Sequence, residues 1–172
     1  MYRRMGFVSA LLCVLVALWM VPPAHAQCSS NSNCQIILSG TGLSATGNQC
    51  TPWGMWLWSQ PANNNYGNDG NGSMYFYAIA PAEAHADVSN VSLSVNSAGQ
   101  SVVSETASAT FPNGTSLSCS AIVAHQTSPG KGILDQMTCT LVTPPPSSET
   151  FNCAVPAGGI PITVDISNAT KH

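Results

Sequence analysis

The stretch Thr115–Val142, TSLSCSAIVAHQTSPGKGILDQMTCTLV, decides the fold class of this chain. In its first half, apolar residues alternate with polar ones and so share one face of an extended strand: Leu117, Cys119, Ala121 and Val123. The second half repeats the alternation at Met137, Cys139 and Leu141. Between them, SPGK at 128–131 is a turn signal. The pattern predicts an antiparallel hairpin of two half-buried strands.

This hairpin also predicts a disulfide. A turn centred on Pro129 places Cys119 opposite Cys139, since each lies ten residues from it. Directly opposed residues have Cβ atoms about 4.5–5.5 Å apart, which is close enough for a bridge. The remaining cysteines of the predicted mature chain are expected to form two more bridges, with their pairing left open: Cys28, Cys34, Cys50 and Cys153. An even number of cysteines favours disulfides over a metal site in an exported protein.

The same alternation continues on both sides of the hairpin. Examples are GMWLW at 54–58, VSLSV at 91–95 and ITVDI at 162–166, and glycine- and proline-containing turns separate such runs. Eight strands are predicted, at 35–38, 54–58, 74–80, 88–95, 101–110, 116–124, 133–142 and 160–167. Short strands at this spacing predict an all-β fold, namely a disulfide-stabilised antiparallel β-sandwich that is immunoglobulin-like in general architecture.

The N-terminus has the pattern of a secretory signal peptide over residues 1–26. A basic MYRR precedes an apolar run of sixteen residues, and Ala24 and Ala26 stand at the expected cleavage site. The run is shorter than the roughly 20 residues that a membrane span needs. Residues 27–172 then form a single domain, in which 27–34 is a polar, cysteine-containing lead-in. The sequence therefore predicts a secreted, periplasmic or cell-surface protein with no membrane span after cleavage.

Charge narrows the class of partner. The chain has four basic and seven acidic residues, and Arg3 and Arg4 leave with the predicted leader. Two lysines cannot neutralise a phosphate backbone, so nucleic acid is excluded as a partner. No cofactor is predicted either. The Gly40-x-Gly42 motif lacks the following helix that would hold a dinucleotide pyrophosphate.

Aromatic residues are concentrated in the segments GMWLW (54–58) and MYFYAIA (74–80), which are predicted to pair as a long hairpin. Strand alternation puts one set of side chains on the core face: Met55, Leu57, Met74 and Phe76. The opposite face then carries the candidate ligand-binding residues Trp56, Trp58, Tyr75 and Tyr77. A register that pairs Leu57 with Phe76 also pairs Trp58 with Tyr75. Two interpretations remain open: a second buried face, or an exposed aromatic surface suited to the apolar faces of sugars.

A second candidate site is AEAHAD at 82–87, where Glu83, His85 and Asp87 alternate with alanine. One imidazole and two carboxylates on one face could hold a divalent ion. In an uninterrupted strand, however, they would share the face of Val91 and point toward the core. A bend is therefore required, and the simpler interpretation is a polar approach to the next strand. On balance we predict no metal site.

These features predict an exported, non-catalytic module for surface or extracellular interaction, with a glycan or a cell-surface protein as its partner. The first alternative is a carbohydrate-binding module that uses the aromatic face. The second is a small secreted hydrolase or metal-binding protein that uses His85 with Glu83 and Asp87.

Overall fold

The computed structural model describes residues 34–43, 50–61, 70–76 and 79–168. Within these ranges every regular element is a strand: β1 (Cys34–Thr41), β2 (Gly54–Ser59), β3 (Gly70–Phe76), β4 (Ala80–Val95), β5 (Ser101–Thr110), β6 (Ser116–Ser128), β7 (Lys131–Val142), β8 (Thr150–Ala154) and β9 (Ile160–Asn168). The described chain has no helix that could cross a bilayer. The predicted leader, lead-in residues 27–33 and Tyr77 lie outside the described residues.

The strands form one closed antiparallel barrel. Each strand from β1 to β7 pairs with the next, and β9 pairs with both β7 and β1. Eight strands thus close the wall. The ninth strand, β8, pairs with residues Thr138–Val142 of β7. The predicted β-sandwich is therefore wrong, because one sheet closes on itself instead of two sheets packing face to face.

Bulges explain how the sheet closes. The register shifts once in each of the β3–β4, β4–β5 and β5–β6 pairs, and three times between β6 and β7. Each bulge bends its strand and increases the local twist, which curls a sheet toward closure. Alternation of apolar and polar residues is the same in a sandwich and in a barrel, so the sequence pattern could not separate the two.

One hydrophobic core fills the barrel. Met55, Leu57, Met74 and Phe76 are all buried, which confirms the face predicted for them. Phe76 also packs edge-on against Phe111, with ring centroids 6.0 Å apart. The aliphatic face of the β2–β3 hairpin is therefore part of the core.

The β6–β7 hairpin confirms one prediction and corrects another. Cys119 lies opposite Cys139 and is joined to it by a disulfide. A bulge between Cys119 and Ala121 then exchanges the faces, so that Ile122 is buried while Ala121 and Val123 are only half-buried. The single face predicted from Leu117 to Val123 is therefore wrong beyond Cys119.

The other cysteines are only partly described. Cys34 is disulfide-bonded, and Cys28 lies outside the described residues. Cys50 and Cys153 are buried thiols in the structure, so a bridge that includes them stays a prediction.

Strand β8 is absent from the predicted strands. It follows the Pro144–Pro146 segment, and in its sequence TFNCA only Phe151 and Cys153 are large or buried apolar residues, too few to reveal a period. β8 pairs with Thr138–Val142 in the C-terminal half of β7, and β9 pairs with Gly132–Leu134 in its N-terminal half. Strand β8 and the start of β9 thus lie in line along one edge of β7.

Candidate functional site

The outer face of β2 and β3 carries exposed aromatic side chains. Because Met55 and Leu57 point into the barrel, Trp56 and Trp58 point outward. The Trp56 side chain is 45% exposed, and Trp58 and Tyr75 are half-buried. The sequence left open whether these rings form a second buried face or an exposed surface. In the structure they lie on the outside of the barrel.

The register of this hairpin differs from the predicted one. Leu57 lies opposite Gly72 instead of Phe76, a shift of four residues that preserves the faces. The strand begins at Gly70, earlier than predicted, because glycine lets the two backbones approach closely. A Cβ on Gly72 would collide with the carbonyl oxygen of Trp56. Tyr75 consequently faces Gly54, and not Trp58.

A bulge in β4 turns the acidic segment outward. Asn90 has a φ of 54°, in the left-handed region, and the register shifts between Ser89 and Ser92. Before the bulge Glu83, His85 and Asp87 are exposed, and after it Val91 is buried. The bend that the sequence required is therefore present.

Strand pairing merges the two candidate sites into one surface. Three rows of outward-facing residues cross β2, β3 and β4: Gly54–Tyr75–Glu83, Trp56–Ser73–His85 and Trp58–Asn71–Asp87. Directly opposed residues in such rows have Cβ atoms about 4.5–5.5 Å apart. We call this surface the β2–β4 outer face. The sequence analysis treated its two halves as separate sites: an aromatic half of Trp56, Trp58 and Tyr75, and an acidic half of Glu83, His85 and Asp87.

The aromatic half contains a groove of about 270 Å³. Its lining includes Trp53, Trp56, Tyr75 and Glu83. The Trp53 side chain is 46% exposed. The backbone of Trp53 is held on both sides, since its N–H donates to the Tyr75 carbonyl at 2.7 Å and its carbonyl accepts from the Leu43 N–H at 3.1 Å. We call this depression the aromatic groove.

Gly54 forms part of the groove floor. Gly54 pairs with Thr41 of β1 on one side and with Tyr75 of β3 on the other, and no side chain stands between these two residues. A Cβ added here would have only the Gly40 carbonyl oxygen near it, at 3.6 Å. The missing side chain at this position thus leaves room for a ligand.

A second depression adjoins the acidic half. It has a volume of about 380 Å³, and its polar lining is His85, Asp87, Ser108, Thr110 and Ser116. Since His85 is the cross-strand neighbour of Ser73 in the aromatic groove, the two depressions are neighbours on one surface. From β2 to β5 this surface spans about 14 Å, at roughly 4.8 Å per strand.

The charge on this surface is acidic. Glu83 and Asp87 are exposed, and the His85 Nε2 atom lies 3.7 Å from a carboxylate oxygen of Asp87. The described part of the chain contains one lysine and no arginine, and this Lys131 lies at the β6–β7 turn. The β2–β4 outer face therefore offers carboxylates, hydroxyls and aromatic rings to a ligand, without a lysine or arginine to attract an anion.

His125 does not join His85 and Asp87 in one cleft. Asp87 lies opposite Ser108 of β5, and His125 lies opposite Val102 of the same strand. These two β5 residues are six positions, or about 20 Å, apart. His125 instead contacts Asp135 through its Nδ1 atom at 2.8 Å. Across the described ranges, no three His, Cys, Asp or Glu side chains are arranged to hold a metal ion.

Two features of this region were missed by sequence reasoning. Trp53 precedes β2 and Gly54 is the first residue of that strand, and their place in the groove depends on pairing with β3. Neither position has a local signal beyond the clustering of tryptophans around it.

A buried carboxyl group inside the barrel was missed as well. Glu105 is 1% exposed and accepts a hydrogen bond from the Ser59 hydroxyl at 2.8 Å, while its other carboxylate oxygen has no partner. Burial raises the pKa of Glu105 to about 7, and the Ser59 bond opposes this rise. The signal was its position between Val103 and Ala107, two residues away on either side, which both face inward.

No protein-family model matches this chain, and comparisons with curated proteins and with solved structures also find no match. Function must therefore be argued from the site alone.

Proposed function

We propose that this protein is an exported, non-catalytic carbohydrate-binding module whose ligand lies across the β2–β4 outer face. The observation that carries the proposal is the aromatic groove, in which the half-exposed Trp53 and Trp56 lie beside Tyr75 and the carboxylate of Glu83. Flat rings stack on the apolar faces of sugars, and carboxylates accept hydrogen bonds from sugar hydroxyls.

The polar half of the same surface supports a ligand longer than one sugar. Asn71, Ser73, Ser108 and Thr110 are strand residues on the outer face or in its second depression. Their amide and hydroxyl groups can both donate and accept hydrogen bonds. An oligosaccharide stacked in the aromatic groove could extend toward β5 along these groups.

Charge defines which carbohydrates fit. Glu83 and Asp87 would repel uronates and sulfated sugars, because like charges destabilise a complex. The expected ligands are therefore neutral or amine-bearing saccharides, bound with little dependence on salt when the saccharide is neutral.

The test is a binding screen of the purified chain against neutral, amine-bearing and anionic oligosaccharides, with tryptophan fluorescence as the readout. Trp56→Ala should weaken binding by about fivefold to 150-fold, by analogy with the roughly 1–3 kcal/mol of a base stacked on an aromatic ring. The control is Val95→Ala, which removes an exposed apolar side chain at the far end of β4. Binding to none of the saccharides, or equal binding by Trp56→Ala, would refute the proposal.

A further inference from the structure

Two buried thiols meet inside the barrel wall. Cys50 is 8% exposed and Cys153 is 2% exposed, and both belong to the single core cluster. Their side chains are in hydrogen-bonding contact, although they come from opposite ends of the fold in sequence. Cys153 lies on β8, directly opposite Cys139 of the existing disulfide.

The contact involves a strand that lies outside the closed ring of eight. β8 pairs with β7 along one edge, opposite Thr138–Val142. β9 pairs with β1 only from Thr163, which faces Ser39. Residues 50–53 precede β2, and the Trp53 carbonyl oxygen accepts a hydrogen bond from the Leu43 N–H at 3.1 Å. Cys50 reaches Cys153 from this segment.

We propose that Cys50 and Cys153 are joined by a disulfide in the exported protein. The bridge would attach the segment Cys50–Trp53 covalently to β8. The inference rests on the contact between the two thiols and does not depend on carbohydrate binding.

The oxidant is an external disulfide, either a small molecule such as oxidised glutathione or a disulfide oxidoreductase. The Cys50 thiolate attacks one sulfur of this disulfide, and the other sulfur leaves as a thiolate that takes up a proton. Cys153 then loses its proton and attacks the Cys50 sulfur of the mixed disulfide, which releases the second external thiol. Two S–H bonds are lost and one S–S bond forms, while two electrons reduce the external disulfide.

The order of attack follows from burial. Desolvation raises the pKa of the Cys153 thiol, and contact with Cys50 raises it further. Cys153 is therefore protonated and a poor nucleophile in the folded barrel. Cys50 is the more exposed thiol and is assigned the first attack. Oxidation should be faster during folding than after the barrel has closed.

The test is peptide mapping of the full chain after refolding in oxidised glutathione. Remaining thiols are alkylated with iodoacetamide in denaturant, and pepsin digestion at acidic pH suppresses exchange because thiolates are then scarce. We expect a Cys50–Cys153 peptide beside the Cys119–Cys139 peptide. Alkylation of both Cys50 and Cys153 would overturn the proposal, and so would a Cys139–Cys153 peptide.

A double-mutant cycle, measured by thermal unfolding, provides an independent test. Cys50→Ala, Cys153→Ala and the double variant should all lower Tm by a similar amount, because each removes the same bridge. Added reductant should lower the Tm of the oxidised wild type by more than it lowers the Tm of the variants, which have only the other disulfides to lose. Additive losses in the double variant would contradict a shared bond. If a variant does not fold, the wild-type peptide map still decides the proposal.

Discussion

At the scale of single residues, Trp56 and Leu57 are neighbours with opposite roles. Leu57 is fully buried and Trp56 is 45% exposed. Leu57→Ala should therefore lower the free energy of unfolding by about 2–5 kcal/mol, as buried large-to-small changes do. Trp56→Ala should cost less than half as much. Urea unfolding of both variants checks this, and an equal loss would mean that the Trp56 ring is part of the core.

Glu105 gives the barrel a pH-dependent stability. Its folded pKa is about 7 against an ordinary value of 4.5, so the folded state holds a proton that the unfolded state has released between these values. Stability should thus be highest below about pH 4.5, fall as pH rises to about 7, and then level off. The total fall from this group is on the order of 3 kcal/mol.

Glu105→Gln should abolish this slope, since the amide does not titrate and can still accept from Ser59. The variant should match the wild type near pH 4 and exceed its stability at pH 8. Glu149→Gln, at an exposed site, is the control and should leave the slope unchanged. Urea unfolding as a function of pH measures both, and an unchanged slope in Glu105→Gln would contradict the assigned pKa.

At the scale of elements, the bulge in β4 decides which side chains reach the surface. Asn90 adopts a φ of 54° and its amide donates to the Thr106 hydroxyl at 3.0 Å. Asn90→Val should lower stability by about 1–2 kcal/mol, because a β-branched residue is strained in this region. Asn90→Gly relieves that strain and should cost less. Equal Tm values for the two variants would contradict the importance of this backbone conformation.

Alternation predicted which faces of β2 and β3 are buried, but not how the strands align. Parity depends only on the extended backbone, so Met55 and Leu57 were correctly placed in the core. The register depends on Gly70 and Gly72, whose effect is a close approach of two backbones and not a sequence period. The merging of Trp56 with His85 follows from that register, and so it could not be derived beforehand.

At the scale of the whole molecule, barrel closure depends on three residue pairs between β7 and β9. Gly132 lies at this junction, where a Cβ would collide with the His125 carbonyl oxygen and the Val164 side chain. Gly132→Ala should therefore lower stability by about 1–3 kcal/mol or more. At Gly54 an added Cβ makes only an ordinary van der Waals contact, at 3.6 Å from the Gly40 carbonyl oxygen, so Gly54→Ala should be neutral within roughly 0.5 kcal/mol. Chemical unfolding compares this matched pair, and equal losses would argue against a tightly packed closure.

Closure itself lay beyond the sequence pattern. The residues that close the wall, Gly132–Leu134 and Ile160–Ile162, form a short pairing between distant segments. The pattern of each segment is equally typical of a sandwich strand. Only the accumulated bend of the bulged strands brings them together.

The central claim is that a ligand occupies the aromatic groove, and Gly54→Val tests it most directly. Valine suits a strand, and its side chain should fill the groove floor without displacing backbone atoms. The measurement is the affinity of the wild type and of Gly54→Val for the tightest-binding oligosaccharide of the screen, by fluorescence titration. The Tm of both proteins is measured to establish that the variant is folded. We expect at least a tenfold loss of affinity. An unchanged affinity in a fully folded Gly54→Val would contradict binding in the aromatic groove.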